Sequence, residues 1–320
     1  MNRIVLLVKG LSALRCFASK VVEKLLYTDL RENADHKSTS VSTENFLSNA
    51  RHFGIDPPLC SIEGWTAHGL LWDLMHNLYI GTGRDLTGSI IARLVELKFY
   101  SDSSDVDVHL AVLSAECRRW CLENRVGVYP PCIDHKTVGL PEDAARVPMA
   151  ASPELDLKAA HVKLYMMFLA SELFIATCAL ADYELRSLSV CMNHCSHMIH
   201  TMQTAGMMLK PWEVDLLIDH GNKFLITYRY LARLAITMGK MRYKLRPKLH
   251  YLAHTIDDLR IWPVNPGFVT CFLDEDFQGK VKSIASKCHK RTCSARTLQR
   301  YKVMITRRWR LAARAFRRKR

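Results

Sequence analysis

The chain has 320 residues, of which 49% are hydrophobic and 24% are charged, a composition that allows a sizeable core and is typical of a globular protein. Its eleven cysteines are odd in number and scattered, which argues against a secreted disulfide framework and favours a reducing compartment. The net charge of +14 lies in residues 280–320, which hold 16 Lys and Arg and no Asp or Glu. The first 279 residues hold 29 basic and 31 acidic side chains, so a surface that is basic all over is excluded.

Residues 1–54 are predicted to form amino-terminal helices and a polar linker. Apolar side chains recur at near-helical spacing over residues 4–27, and the first 22 residues carry four basic side chains and no acidic one. That pattern is compatible with an ordinary amphipathic helix or with an organelle-targeting sequence in residues 1–26. Lys9 interrupts the apolar run, so no transmembrane segment is predicted.

Residues 55–279 are predicted to form a helical body. Residues 126–153, which contain five prolines, are expected to be irregular. Residues 69–72 are predicted as a short buried strand or a turn, and residues 269–273 as a short extended segment. Long helices with apolar stripes on more than one side imply a bundle. The predicted helices are Thr43 to His52, Asp85 to Tyr100, Val106 to Asn124, two or three between Leu155 and Met208, Pro211 to Met238, Arg246 to Leu259, and one from about Phe277.

The stretch WDLMHNL at residues 72–78 carries the first polar cluster. If Asp73 opens a helix, the free N–H groups and the dipole of that helix favour its negative charge. His76, three residues further on, then lies on the same helical face. A carboxylate and an imidazole so placed can share a proton, bind a divalent metal or orient one another. A helix cap beside a surface histidine is the alternative interpretation.

Two further clusters have the residue types of metal ligands. His250 and His254 stand four residues apart on one helical face, a spacing used by helical zinc sites, although packed or surface histidines show it too. Cys191, His194 and Cys195 would also share one face of a helix. Structural zinc sites usually take their ligands from two separate elements, so this segment is interpreted mainly as core.

Three stretches, in this order, resemble motifs of CACTA-type and related DDE transposases. PLCSIEGW at residues 58–65 and WDLMHNLYIGT at residues 72–82 resemble "PL-x-x-I-x-G" followed by "D-x-M-H-N-L-x-x-G". RPKLHYLAH at residues 246–254 resembles "P-N-x-H-x-x-x-H". EDFQG at residues 275–279 is similar to "F-E-R-x-N-G", in which the glutamate is the last member of the catalytic D-D-E set.

The resemblance covers roughly residues 55–290 and implies the carboxy-terminal portion of an RNase H-like transposase. It predicts a mainly α fold, a helical bundle like the insertion domain of these enzymes, with at most a remnant of the RNase H-like α/β core. Glu275 would be the catalytic acid and a metal ligand. Asp73 and His76 would be the accessory motif, with Asp73 a second candidate ligand, and His250 and His254 are weaker candidate ligands.

The chain also departs from the family pattern. The two upstream motifs that supply the family's catalytic aspartates have no counterpart here, and Asp274 replaces the phenylalanine that precedes the family's glutamate. Two-metal phosphoryl chemistry needs several carboxylates around ions about 4 Å apart, so Glu275 alone cannot perform it. The sequence therefore predicts a catalytically incomplete protein, with Mg²⁺ or Mn²⁺ as cofactor only if activity survives.

Residues 280–320 are predicted to form a basic helical tail. Arginines can pair with phosphates while Trp309 and Phe316 stack or pack. A nuclear localisation signal, a basic amphipathic helix on an anionic membrane and a solvated helix end are the other interpretations. The candidate nucleic-acid-binding residues are Arg307, Arg308, Arg310, Arg314, Arg317, Arg318, Lys319 and Arg320.

Three functional hypotheses follow. The first is a transposase-derived protein that binds nucleic acid, DNA more than RNA, through this tail in the nucleus, or in an organelle if residues 1–26 are a targeting sequence. The second is an active metal-dependent transposase or nuclease in which other carboxylates join Glu275. The third is a helical protein-interaction module. The sequence predicts no oligomeric state.

Overall fold

The computed structural model describes residues 42–52, 58–66 and 71–317, so the predicted helix at residues 4–27 lies outside the described part. The described residues are mainly helical and include no strand, which confirms the predicted mainly α class. Isolated bridges join Asp105 to Asp143 and Met208 to Val264. The chain divides into two compact units, one up to Val269 and one from Thr270.

The helices are short in the amino-terminal part of the first unit and long in its centre. A π-helical segment, Met75–Gly83, runs directly into α2. Short helical segments of three to six residues occur at Pro58–Ser61, His135–Val138, Ala144–Met149 and Pro266–Phe268, and at Lys290–Thr292 in the second unit. The helices of the first unit are α1 Thr43–His52, α2 Arg84–Glu96, α3 Val106–Glu123, α4 Ala159–Ala179, α5 Tyr183–Thr204, α6 Pro211–Thr237 and α7 Pro247–Asp258; those of the second are α8 Phe272–Ala285 and α9 Cys293–Arg317.

Local sequence signals set where several of these helices begin. The carboxylate of Asp105 accepts the N–H of Asp107 at 2.9 Å and caps α3. The carboxylate of Asp182 accepts the N–H of Leu185 at 2.8 Å and caps α5. Helices α6 and α7 both start with proline, whose fixed φ and missing N–H suit the first helical position.

Helices α4, α5 and α6 form the centre of the first unit. Three residues connect α4 to α5 and six connect α5 to α6, and each pair packs along its length. Helix α4 is long and apolar enough to cross a membrane, and eight of its 21 residues are buried within the first unit. Fully buried side chains of these three helices include Tyr165, Met166, Phe168, Leu169, Leu188, Met192, Phe224 and Tyr228.

A buried charged network ties α2 to α5 and to the segment after α6. The guanidinium of Arg242 is completely buried and contacts the Glu96 carboxylate. Glu96 also accepts Lys240 at 2.9 Å, and Glu184 accepts the hydroxyl of Tyr243 at 2.7 Å. A buried charge without its partner would be strongly destabilising, so this network fixes which segments can pack together.

The expectation of an extended segment at residues 269–273 is wrong, and the strand or turn expected at residues 69–72 lies only half within the described part. Leu71 and Trp72 are irregular, and residues 69–70 lie outside the described part. In the segment of residues 269–273, helix α8 already begins at Phe272 and not near Phe277. In the described part of the chain neither segment has a neighbouring strand to pair its backbone N–H and C=O groups, whereas a helix satisfies them internally. Residues 126–153 are irregular as predicted, apart from two helical turns.

The π-helical segment depends on a close approach at Gly81. This residue has φ −105° and ψ −110° and kinks the helix there. A Cβ atom at this position would lie 2.6 Å from the carbonyl oxygen of His76 and 2.9 Å from Cδ of Lys248 on α7. Only glycine fits, and the wider π turn was not predicted because hydrophobic spacing does not distinguish it from an α-helix.

Candidate functional site

Asp73 and His76 lie together at the start of the π-helical segment, as their spacing predicts. The Asp73 carboxylate accepts the backbone N–H of Met75 at 3.1 Å and that of His76 at 3.2 Å, and it is hydrogen-bonded to Nδ1 of the His76 ring. The Asp73 side chain is about one-fifth exposed and that of His76 nearly half exposed. The helix start therefore holds a charge-stabilised carboxylate that orients one imidazole.

The stretch around Asp73 packs against helix α7. The indole ring of Trp72 stacks on Tyr251, with centroids 4.6 Å apart and planes at 14°, and lies parallel to the ring of His254 at 5.8 Å. Lys248 donates from Nζ to the carbonyl of Ile80 at 3.1 Å. Two of the three stretches that resemble transposase motifs are thus in direct contact.

His250 and His254 share one face of α7, and their Nε2 atoms are 3.0 Å apart. His250 is almost fully buried, whereas His254 lies under Trp72. Two neutral imidazoles at this distance share one proton, with one ring as donor and the other as acceptor. The pair offers two ligand nitrogens but, in the described part of the chain, no third His, Cys or carboxylate that completes a metal site with them.

Glu275 lies in the second unit, in the first turns of α8. The side chains of residues 273–276 lie outside the described part, so the predicted acidic cluster has a backbone position only. Among the described side chains no second carboxylate joins Asp73 and His76. One carboxylate and one imidazole do not fit a two-metal centre, which needs several carboxylates to bridge its ions.

Helix α9 makes up most of the basic tail and is described up to Arg317, while Arg318, Lys319 and Arg320 lie outside the described residues. Trp309 is 73% exposed, and Tyr301 packs edge-on against Phe277 of α8 with ring centroids 5.1 Å apart. Arg307, Arg308, Arg310 and Arg314, four of the predicted contact residues, are exposed; nothing is described of the Arg317 side chain.

The structure adds two arginines to that predicted set. Arg296 and Arg300 are also exposed, and with Arg307, Arg310 and Arg314 they follow steps of three, four or seven residues along one face of α9. We call these five side chains the arginine stripe. It extends over roughly 27 Å at 1.5 Å per residue. The predicted helical tail covers these positions, but Arg296 and Arg300 were not among the predicted contact residues because that prediction rested only on the basic run at the end of the chain.

A second cluster that the sequence did not reveal surrounds Asp85. Its side chain is 2% exposed, and Oδ1 lies 3.0 Å from the guanidinium of Arg246. Arg246 also binds Glu154 at 2.6 Å, and Arg84 binds the other oxygen of Glu154 at 3.2 Å. Burial raises the pKa of Asp85 to about 6, against the opposing charges of Arg246 and Lys244. The arginine of the RPKLH stretch is therefore part of a structural ion network.

The cysteines considered with His194 do not form a site with it. Cys191 and Cys195 are completely buried, and burial raises the pKa of both thiols, that of Cys195 to about 12. A protonated thiol is not a metal ligand. His194 is instead hydrogen-bonded to His220 of α6, with the two Nδ1 atoms 2.9 Å apart. His220 lies 26 residues further along the chain, so only the packing of α5 on α6 brings the two together.

No protein-family model matches this chain. No curated protein and no solved structure matches it either.

Proposed function

We propose that the chain is a transposase-derived, catalytically incomplete protein that binds nucleic acid, DNA in preference to RNA, through α9. The observation that carries the proposal is the arginine stripe. Five exposed guanidinium groups on one face of a helix, with no acidic residue anywhere in residues 280–320, suit a row of phosphates. The direct contact between Trp72 and Tyr251 supports the transposase origin, since it joins two stretches that resemble the family's motifs. We also propose a nuclear location, because the tail is basic and the resembling motifs belong to DNA transposases.

Salt dependence of binding tests the role of the stripe. We would titrate a labelled DNA duplex with the full chain at several salt concentrations and repeat this with Arg307, Arg310 and Arg314 all changed to Gln. Each neutralised phosphate contributes a slope of about −0.9 to log K against log salt, so the triple variant should lose affinity and flatten the slope by roughly 2 to 3. A duplex RNA of equal length in the same assay tests the preference for DNA.

The matched control variant loses the same number of positive charges as the triple variant, but from a different part of the chain. Lys136, Arg146 and Arg233 are exposed basic side chains of the first unit, and all three would be changed to Gln. This control should bind as the wild type does. Equal losses in both triple variants would mean that overall charge, not the stripe, drives binding. Unchanged affinity after deletion of residues 307–320 would refute the proposal and favour a helical protein-interaction module.

A metal-dependent nuclease is the second candidate function, and the Asp73–His76 pair is the observation that favours it. We would follow cleavage of a labelled duplex with Mg²⁺ and with Mn²⁺, using the wild type and Glu275→Ala. Cleavage that requires metal and is lost in the variant would establish this function. Absence of cleavage in the wild type would leave the binding function alone.

A further inference from the structure

Three histidines meet on the outer surface where α5 packs against α6. His194 and His197 are three residues apart on α5, and His220 comes from α6. Besides the 2.9 Å contact between the Nδ1 atoms of His194 and His220, the rings of His197 and His220 are stacked, with centroids 4.7 Å apart and planes at 14°. His197 is exposed, and the other two rings are partly exposed, so solvent reaches the cluster.

The cluster is not explained by core packing. The buried side of α5 at this level consists of Cys191 and Cys195, and Cys191 contacts the carbonyl of Phe224 on α6. His194 and His220 lie beside this buried contact and are partly exposed, and His197 is exposed. The three imidazoles bring ring nitrogens from two separate helices into one small region.

A carboxylate and an ammonium group lie beside the histidine cluster. The exposed Asp219 carboxylate faces the same region from α6 and is paired with Lys223 at 2.8 Å. It adds a negative charge beside the histidines.

The spacing of two of the ring nitrogens is also close to what a metal requires. A tetrahedral ion with bonds of 2.0 to 2.1 Å to nitrogen separates two ligating nitrogens by roughly 3.3 Å. The Nδ1 atoms of His194 and His220 need only move apart by a few tenths of an ångström, and the ring that donates from Nδ1 must exchange with solvent to the tautomer that carries its proton on Nε2. Imidazole ligands favour Zn²⁺, Ni²⁺ and Cu²⁺ over Mg²⁺ and Ca²⁺.

We propose that His194, His197 and His220 form a surface site for a divalent transition metal of this class, which clamps α5 to α6. His194 and His220 bind through Nδ1, and His197 turns from its stacked position to supply the third nitrogen. Water or the Asp219 carboxylate completes the coordination. The site is independent of the nucleic-acid interface on α9.

Calorimetric titration of the full chain with Zn²⁺, supported by the visible spectrum of the Co²⁺ form, tests the site. The wild type should bind one ion per chain with histidine ligation, and the ion should raise its melting temperature. The double change His194→Gln and His220→Gln should weaken binding at least tenfold and abolish the thermal shift. His200→Gln is the matched control, an exposed histidine of α5 outside the cluster, and should leave both unchanged.

A single change, His197→Gln, should weaken binding less than the double change does, because one nitrogen is lost instead of two. Circular dichroism of each variant shows that the helices are intact. Zn²⁺ binding that survives in the folded double variant would overturn the proposal, as would the absence of saturable binding in the wild type. Loss of binding in His254→Gln alone would assign the ion to the His250–His254 pair and would equally refute it.

Discussion

Asp85 is a buried carboxylate whose pKa is raised by the fold. Because its folded-state pKa of about 6 exceeds the ordinary value of 3.8, the contribution of this group to stability is full below pH 3.8 and is lost as the pH rises through 6. The Asp85→Asn variant has no carboxyl group at this position, so its stability should not fall with rising pH for this reason. Between pH 4 and pH 7 the free energy of unfolding of the variant, relative to wild type, should rise by up to about 3 kcal/mol. Urea unfolding at a series of pH values measures it.

Glu154, in the same ion network, should show the opposite sign. Burial raises its pKa, but the hydrogen bond from Arg246 and the charge of Arg84 outweigh burial and lower it. Its contribution is therefore present above the ordinary value of 4.5 and lost as the pH falls, so Glu154→Gln should be destabilised most at neutral pH.

Parallel pH profiles for wild type and Asp85→Asn would contradict the assigned environment of Asp85.

What could be predicted for single residues depends on how far apart in sequence the partners are. Asp73 and His76 were placed on one face because three residues separate them on a helix. The pairing of Asp85 with Arg246 spans 161 residues, and that of His194 with His220 requires the register of two helices. No local pattern contains that information, so these clusters became visible only in the fold.

At the scale of elements, α2 packs its backbone directly against the segment that leads to α4. The carbonyl of Arg84 accepts the N–H of Leu155 at 3.1 Å, and a Cβ atom at Gly88 would lie 2.4 Å from Cα of Glu154. Gly88→Ala must therefore move backbone, at a cost of about 1 to 3 kcal/mol that exceeds the helix-propensity gain of alanine. Chemical denaturation followed by circular dichroism measures the loss.

Gly279→Ala is the control for that change. Gly279 also lies inside a helix, α8, but nothing is within 4 Å of a Cβ atom added there. Alanine should be neutral or should stabilise the helix by up to about 1 kcal/mol. If both substitutions lowered the unfolding midpoint equally, the close approach of Glu154 to Gly88 would not be the cause.

Helix positions followed from the sequence where caps and prolines marked them. Helix α6 was predicted from Pro211 to Met238 and runs from Pro211 to Thr237, because an apolar stripe and a first-turn proline both identify it. The π-helical segment and the early start of α8 were missed, since both depend on backbone hydrogen bonding and not on side-chain period. The extended segment predicted at residues 269–273 failed for the same reason.

At the scale of the whole molecule, the sequence separated a near-neutral helical body from a basic tail, and the two differ in packing. Helices α4 to α6 bury large side chains such as Tyr165 and Phe224. Among the described side chains of α9, Thr297 is the buried one, and Leu298, Val303 and Trp309 are largely exposed. Amides of a helix with so little burial should exchange with solvent through local opening, well before the amides of the core helices.

Hydrogen exchange of the full chain with and without a DNA duplex therefore distinguishes the functional hypotheses. In the free protein the amides of α9 should exchange early and those of α5 and α6 late. DNA that lies along the arginine stripe should slow exchange in α9 alone, because binding to the folded helix stabilises it against opening. The variant with Arg307, Arg310 and Arg314 changed to Gln should show no such protection. Protection that appears in α5 and α6 instead would identify the helical body as the binding surface, and α9 would then not be the interface.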